Sequence, residues 1–166
     1  MPVGPGRLAE LEDAAPEEDQ PAYGPWSKPV NLGPIVNVAA PDSTQHPAIS
    51  RDGLSLYIST SRPGGFKGGL DIWVSHRDSV GAPWGPPQHL GPNINSAGND
   101  LAPTLTLDGH WMYFHSTGRG GCGDADLFVS HRQDNRDDMA WEPAQNLGCV
   151  VNSPYKTPAR RTSRMT

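Results

Sequence analysis

Two aspartates, Asp71 and Asp126, stand at matching places in the chain, each after a glycine-rich segment and before an apolar run. Carboxylates in such places could bind a metal ion or a ligand, or they could accept backbone N–H bonds in an Asx-type turn. The turn is the favoured interpretation, because a single active site needs its residue once and these aspartates recur with a repeat. We therefore predict that both carboxylates are structural.

The other patterns that could do chemistry are incomplete. The segment GGCGDAD supplies Asp124 and Asp126, only two of the roughly six oxygen ligands that a calcium loop needs. The six histidines show no HExxH or HxH spacing, so no zinc site is predicted. No GxSxG motif occurs, and the segment 106–109 matches the aspartate box of sialidases only in part. We predict no metal and no cofactor and assign no catalytic residue, while membership of a larger enzyme stays open.

Three side chains are candidates for contact with a ligand, namely Arg62, His115 and Arg119. The two arginines occupy matching turns of the repeat. His115 has no histidine counterpart, because Ser59 stands at the matching position. A residue that departs from a repeat can serve a site that occurs once, so His115 is the histidine of most interest.

The two cysteines allow a disulfide but do not require it. Cys122 lies in the predicted turn between the second and third strands of the second repeat, and Cys149 lies just after the fourth strand. In an up-and-down antiparallel sheet both positions fall at the same end, so a bridge is geometrically feasible and fits an oxidising compartment. Free buried thiols fit the sequence equally well.

The elements that position these residues form a repeat with an offset of about 56 residues. The stretch 46–78 matches the stretch 101–133, and a shorter phrase with N-L-G or H-L-G occurs three times, starting at Trp26, Trp84 and Trp141. The tryptophans could stack on sugars, but their recurrence favours packing between units. Because one such unit cannot bury its apolar faces alone, the period predicts stacked supersecondary units.

Each repeat is predicted to form four antiparallel strands. The predicted strands are 48–50, 55–60, 70–77 and about 88–90 in the first repeat, and 103–106, 111–116, 126–132 and 144–147 in the second. Asp52-Gly53 and Asp108-Gly109 predict hairpin turns in which both residues tolerate positive φ. The third strand is apolar on both faces, which indicates a sheet packed between neighbours. The segment 26–36 is predicted to be an orphan outer strand.

The pattern P-x-x-S/T-x-D-G, then L/M-Y-I/F, then a glycine-rich turn and D-I/L-W/F-V-S-x-R resembles the WD-like β-propeller repeat of the TolB type. The residues that carry this resemblance are Pro47, Asp52, Gly53, Tyr57, Asp71, Ile72 and Trp73, with Pro103, Asp108, Gly109, Tyr113, Asp126, Leu127 and Phe128 in the second copy. It covers roughly residues 26–154 and implies an all-β partial propeller with one blade at 46–95 and another at 101–152.

The resemblance also implies a function class. Such proteins are extracytoplasmic bacterial proteins that mostly act as binding or scaffolding modules, which suggests a protein, peptide or glycan ligand and a periplasmic or extracellular location. Some members are attached to peptidases, and some loosely similar proteins are labelled sialidases. The alternative is therefore a fragment of a propeller-containing hydrolase, either a glycosidase or the accessory domain of a peptidase.

Two blades are too few to form a closed propeller ring. Propellers have about four to eight blades, so two blades predict either self-assembly, such as three chains in a six-bladed ring, or a piece of a longer product. The tail 155–166 is basic and unlike the repeat, and one shifted reading frame would give D-S-G-P-A-H-F-E-D-D, similar to the start of another blade. We expect an irregular tail after the propeller region 23–154, and our hypothesis for its origin is a frameshift.

Composition narrows the remaining choices. The segment 1–22 is acidic with little to bury, which predicts a disordered arm and no signal peptide as written. A net charge of -5 disfavours nucleic acid as a partner. No apolar run reaches the roughly 18 residues of a membrane helix, so no membrane span is predicted. A hydrophobic content of 35% with a mean hydropathy of -0.57 indicates a thin, sheet-like core.

Overall fold

A computed structural model of the chain describes residues 24–66 and 69–154, and in these ranges it is all-β, with no helix. The strands are β1 Thr44–Ile49, β2 Ser55–Thr60, β3 Asp71–His76, β4 Gln88–His89, β5 Asp100–Leu105, β6 Trp111–Ser116, β7 Asp126–His131 and β8 Gln145–Asn146. No helix that could cross a membrane is found in the described part of the chain. The predicted acidic arm (1–22) and basic tail (155–166) lie outside the described residues.

The strands form two four-stranded antiparallel sheets in the orders β1-β2-β3-β4 and β5-β6-β7-β8. We call them the first and the second sheet. The central pairs β2–β3 and β6–β7 match residue for residue along their whole length. The fourth strands are short and pair with the third strands through two residues each. Two four-stranded antiparallel units are therefore present, as the repeat predicts, and both lie in the compact unit Asn31–Thr166.

The first strand of each sheet begins earlier than predicted because it contains a bulge. His46 and Ala102 have φ values of 51° and 55°, and each precedes a proline, Pro47 or Pro103. Proline has no N–H to give to the ladder, so the pairing is interrupted there and resumes on the other side. The predicted bounds 48–50 and 103–106 thus miss residues 44–47 of β1 and 100–102 of β5. In contrast, the predicted bounds of β2 and β6 are confirmed.

The Asp-Gly hairpins form as predicted in place but not in detail. Positive φ is confined to the glycines, with 75° at Gly53 and 73° at Gly109. The aspartate of each pair uses its carboxylate instead: Asp52 Oδ1 accepts bonds from the Ser50 hydroxyl and from the backbone N–H two residues on. The side chain therefore closes the turn that the glycine bends.

The predicted orphan strand 26–36 is wrong, because residues 24–43 contain no strand. A fourth strand in this repeat pairs with the third strand of its own unit, and no third strand precedes residue 26 among the described residues. What the segment does form is a turn at 33–37, in which Asn37 N donates to Gly33 O over 2.9 Å. Trp26 is fully exposed.

The main core lies between the two sheets. It is built by side chains from both, chiefly Tyr57, Ile72, Val74, Leu90 and Ile94 from the first repeat and Met112, Phe114, Phe128 and Trp141 from the second. A smaller cluster on the other side of the first sheet contains Leu56, Ile58 and Trp73, packed with Val36 and Trp84. The first strands of the two sheets, β1 and β5, are also in contact. One face of each sheet thus meets its neighbour.

Candidate functional site

Three turns with the same geometry end the three N-L-G or H-L-G phrases. They are 33–37, 91–95 and 148–152, and we call them the asparagine turns. In each, the N–H of the last residue donates to the carbonyl of the glycine, over 2.9, 2.8 and 2.9 Å. The glycines have φ values of 83°, 71° and 77°, a region that favours glycine. The same sequence phrase thus gives the same turn three times.

The closing asparagines of the second and third turns also bond the third strand of the sheet that comes before the turn in the chain. Asn95 Oδ1 accepts from Ile72 N over 2.7 Å, and its Nδ2 donates to Ile72 O over 2.9 Å. Asn152 holds Leu127 in the same way, with distances of 2.8 and 3.2 Å. These two-way bonds position the aspartate that begins the third strand, because Asp71 and Asp126 directly precede the fastened residues.

Asp71 and Asp126 hold the turns in front of their strands. Asp71 Oδ2 accepts from Phe66 N over 2.6 Å and lies 3.1 Å from His89 Nε2. Asp126 Oδ2 accepts from Cys122 N, and its Oδ1 accepts from the next backbone N–H over 3.1 Å. Both side chains are buried. Their partners are turn N–H groups and neighbouring side chains. Of the two roles that the sequence allows, metal or ligand binding and an Asx-type turn, these contacts correspond to the turn.

The two carboxyls nevertheless differ in pKa. Burial raises the pKa of Asp71, and its bonds with Phe66 and His89 offset only part of that effect. Its Oδ1 is buried without a hydrogen-bond partner among the described residues. Burial also pushes the pKa of Asp126 upward, but bonds from Asn146 and from two backbone N–H groups outweigh it and lower the pKa. The same position in the repeat thus carries carboxyl groups whose pKa values are shifted in opposite directions in the two sheets.

Arg62 and Arg119 clamp the asparagine turns that precede their own sheets. Arg62 Nη2 donates to Val36 O over 2.6 Å, and its Nη1 donates to Ile35 O over 3.3 Å. Arg119 Nη2 lies 3.2 Å from each of three carbonyl oxygens, those of Pro92, Asn93 and Asn95. The two arginines predicted as ligand contacts are therefore engaged with backbone carbonyls.

His115 lies on β6 and pairs with Leu127 of β7, so it is not part of either arginine clamp. Burial lowers its pKa from the usual 6.5, the nearby His46 lowers it further, and Asp100 offsets part of the change. The ring is therefore neutral at neutral pH. Its counterpart Ser59 accepts a bond from Ala102 N across the interface between the sheets, over 3.2 Å.

Cys122 and Cys149 form a disulfide with a Cα–Cα distance of 5.5 Å. It joins the β6–β7 turn to the third asparagine turn. In the first sheet the corresponding positions hold Phe66 and Pro92, which line one hollow of about 370 Å³. A covalent bond in the second sheet thus stands where the first sheet has two apolar side chains beside a hollow.

A buried polar cluster joins the two sheets at a place where the repeat is broken. The loop after Arg132 is two residues longer than the loop after Arg77, counted to the next tryptophan, and it contains Asp138. Asp138 Oδ1 accepts bonds from Tyr57 Oη (2.7 Å) and Arg132 Nη1 (3.0 Å). Arg132 is 1% exposed. We call Ser55, Tyr57, Arg132 and Asp138 the inter-sheet cluster.

Ser55, His76 and Asp138 lie together, but not in the order of a catalytic triad. Ser55 Oγ donates directly to Asp138 Oδ2 over 2.5 Å. His76 Nδ1 lies 3.4 Å from that hydroxyl and 3.7 Å from the carboxylate. A triad needs the imidazole between serine and aspartate, with one ring nitrogen toward each, whereas here one nitrogen faces both. Ser55 is also buried, so the geometry supports no nucleophilic step.

An open cleft of about 610 Å³ lies between the two Asp-Gly turns. Its polar lining includes Arg51, Asp52, Asp108, His110, Asn135 and Arg136. Neither the Arg51 nor the Arg136 guanidinium has an ion-pair or hydrogen-bond partner among the described residues. Two of these side chains, Asn135 and Arg136, come from the longer loop that also supplies Asp138.

The carboxylates of the cleft are fixed in place and charged. Asp108 Oδ1 accepts bonds from the Thr106 hydroxyl (2.5 Å) and from the backbone N–H two residues on (3.1 Å). The bonds to the Ser50 and Thr106 hydroxyls are the main cause of the lowered pKa values of Asp52 and Asp108. The cleft therefore presents fixed acceptors next to guanidinium donors that no described residue pairs with.

Sequence reasoning predicted the turn aspartates but not the cleft. The signal that could have found it is the two-residue difference between the loops after Arg77 and Arg132, which marks where the repeat departs from symmetry. No protein-family model matches the chain, and comparison with the curated proteins finds no match. No group of three or more His, Cys, Asp or Glu side chains in the described ranges could hold a metal ion.

Proposed function

We propose that the chain is a non-catalytic binding module whose two sheets are blades of a partial β-propeller of the TolB type. The cleft between the Asp-Gly turns is its binding site. The observation that carries this proposal is a pair of guanidinium groups, Arg51 and Arg136, that have no partner within residues 24–66 and 69–154 and lie beside fixed carboxylates in a cavity of about 610 Å³. Loops carried by rigid sheets are where binding sites commonly lie.

The ligand class follows from the lining of the cleft. The lining contains donors at Arg51, Arg136 and Asn135 together with acceptors at Asp52 and Asp108, and such a mixture suits a ligand with both donors and acceptors. A peptide segment of a protein or a glycan has this character. The openness of the cleft also suits a chain-like ligand that enters from solvent and leaves without chemical change.

The rest of the structure supports a preorganised site outside the cytoplasm. The inter-sheet cluster fixes the loop that supplies Asn135 and Arg136 to the cleft, because Asp138 bonds both sheets at once. A disulfide between Cys122 and Cys149 fits an oxidising compartment. We therefore propose a periplasmic or extracellular location.

The test is a binding screen with a matched pair of variants. The chain is applied to a peptide library and a glycan array, and each ligand found is titrated against the chain with Arg51→Ala and Arg136→Ala combined. Because a hydrogen bond to a charged group contributes about 1.5–3 kcal/mol, the affinity is expected to fall at least about tenfold. Lys28→Ala, an exposed cation outside the cleft, is the control and leaves the affinity unchanged. Equal binding by the double variant would refute the cleft as the site.

A further inference from the structure

The second sheet presents to solvent the face that the first sheet buries. Tyr113 and Leu127 are 40% and 43% exposed. Their counterparts in the first sheet, Tyr57 and Ile72, are both 0% exposed, because the second sheet packs on them. We call the side chains Trp111, Tyr113, His115 and Leu127 the open face. It is an apolar sheet surface of the kind that marks an interaction site.

The third asparagine turn is open in the same sense. In every asparagine turn the residue before the closing asparagine is aliphatic, and Val36 and Ile94 are buried in the two cores at 2% and 0% exposure. Val151 holds that position in the third turn and is 57% exposed. The turn has the geometry of the other two, so the difference lies in what packs against it.

The carbonyl groups of the third turn point to the missing contact. The carbonyl oxygens of Ile35 and Asn93, at equal positions in the first two turns, each accept a bond from the arginine of the following sheet, Arg62 or Arg119. Val150 holds that position in the third turn, and no side chain of the described residues donates to its carbonyl. The Val150 carbonyl is therefore placed to accept a hydrogen bond from an arginine guanidinium, as the matching carbonyls of the first two turns do.

We propose that the open face and the third asparagine turn together receive a third four-stranded sheet of the same repeat, with an arginine that donates to the Val150 carbonyl. The occupant comes from polypeptide other than the two sheets described. A second copy of this chain does not fit, because its Arg62 is bonded to its own turn and its Leu56 and Ile58 are already buried. The faces of its two sheets that would have to dock are already buried within its own cores.

His115 then has a role at this interface. It stands where Ser59 stands in the first sheet, and Ser59 accepts a bond from a backbone N–H of the next first strand. A neutral imidazole has one nitrogen that can accept such a bond, and the lowered pKa of His115 keeps the ring neutral. The departure from the repeat at this position therefore preserves an acceptor.

The test adds the third sheet to the chain. Residues 1–154 are followed directly by a second copy of 98–154, which keeps the spacing of the repeat because Pro154 matches Ala97. The added copy carries Trp111→Phe, so that oxidation of the original Trp111 by hydroxyl radicals can be read separately by mass spectrometry. Oxidation of Trp111, which is 41% exposed, is expected to fall at least about fivefold, since Ser55, which holds the matching position in the first sheet, is only 6% exposed.

Two variants separate docking from simple tethering. Arg119→Ala in the added copy alone is expected to restore part of the oxidation of the original Trp111. Leu127→Asp on the open face is expected to restore it fully, while Leu107→Asp, on an exposed turn, leaves the protection intact. Protection without any sensitivity to these changes contradicts the proposed contacts.

Three further outcomes overturn the proposal. One is an added copy that stays sensitive to protease while Trp111 remains as exposed as before. The same sequence folds when it packs on the first sheet, so its failure to fold on the second sheet would mean that the open face does not receive it. Another is an ordered added copy with unchanged oxidation of Trp111. The third is protection of Trp111 in the unextended chain together with a doubled mass in solution, which identifies a second copy as the occupant. None of these depends on the cleft, so the two proposals fail separately.

Discussion

Asp71 and Asp126 occupy the same place in the repeat, yet their pKa values are shifted in opposite directions. Asp71 has one backbone N–H donor and a histidine, whereas Asp126 has two backbone N–H donors and the Asn146 amide. Each added donor stabilises the charged form. The balance between burial and the local hydrogen-bond donors, and not the position in the repeat, therefore decides whether the carboxylate stabilises the fold.

These shifts predict opposite pH dependences for two matched variants. The stability that charged Asp126 contributes is fully present above pH 3.8, the ordinary pKa of an aspartate, and is lost as the pH falls through the lower pKa of the folded state. The cost of Asp126→Asn should therefore shrink in acid. Charged Asp71 lowers stability at neutral pH, and protonation relieves this as the pH falls through its raised pKa toward 3.8, so the cost of Asp71→Asn should grow. Urea unfolding across this range checks both, and parallel profiles would contradict the pKa directions.

At the scale of elements, the second sheet is fastened where the first relies on packing. The disulfide ties the β6–β7 turn to the third asparagine turn, at the place where Phe66 and Pro92 line a hollow in the first sheet. The strand that it secures, β8, has two residues. A short strand beside an open face has few other contacts, so the covalent bond matters most there.

Removal of the disulfide is expected to destabilise the chain substantially. The two cysteines are 27 residues apart, and closing a loop of that length in the unfolded chain corresponds to about 3–4 kcal/mol in the chain-entropy model. The variant with Cys122→Ser and Cys149→Ser should lose that much free energy of unfolding. A reducing agent should have a similar effect on the parent chain and none on the variant. Unchanged stability of the reduced parent would contradict the expectation.

The sequence predicts elements well where local signals agree and poorly where distant partners decide. β2 and β6 are placed correctly, because Asp-Gly turns and β-rich runs define them. β1 and β5 are cut short, because Pro47 and Pro103 look like strand starts and the bulge before them has no sequence mark of its own. The orphan strand fails for a different reason: a strand requires a pairing partner, and sequence alone does not say whether one is present.

At the scale of the whole molecule, the inter-sheet cluster makes the two sheets one unit. Asp138 and Tyr57 are 81 residues apart in the chain and bond across the interface over 2.7 Å. The Arg132 guanidinium beside them lies over the Trp141 ring, 4.4 Å from its centroid. Such a cluster depends on the way two loops meet, so no reading of either repeat alone predicts it.

Loss of the Asp138 carboxylate should destabilise the whole molecule. Asp138→Ala leaves Arg132 buried without its counter-charge, and breaking a buried pair in this way costs about 3–5 kcal/mol. Asp134→Ala, in the same loop, removes a local bond to a backbone N–H and should cost about 1 kcal/mol. Chemical denaturation measures both, and combining Asp138→Ala with Tyr57→Phe should give less than the sum of the single costs. Equal effects of the two alanine variants would exclude the cluster as the link between the sheets.

The arginine clamps give the array a direction. Each clamp reaches back along the chain, from Arg62 to the turn at 33–37 and from Arg119 to the turn at 91–95. If a unit is removed from the N-terminal (leading) end, the arginine of the next unit loses its carbonyl partners and its positive charge is left unpaired. A unit removed from either end uncovers apolar side chains of the shared core, but removal from the trailing end leaves no unpaired cation and uncovers carbonyl groups that water can satisfy. Tandem chains of this design should therefore tolerate shortening from the C-terminal side far better than from the N-terminal side, and during synthesis each unit is completed only when the next one arrives.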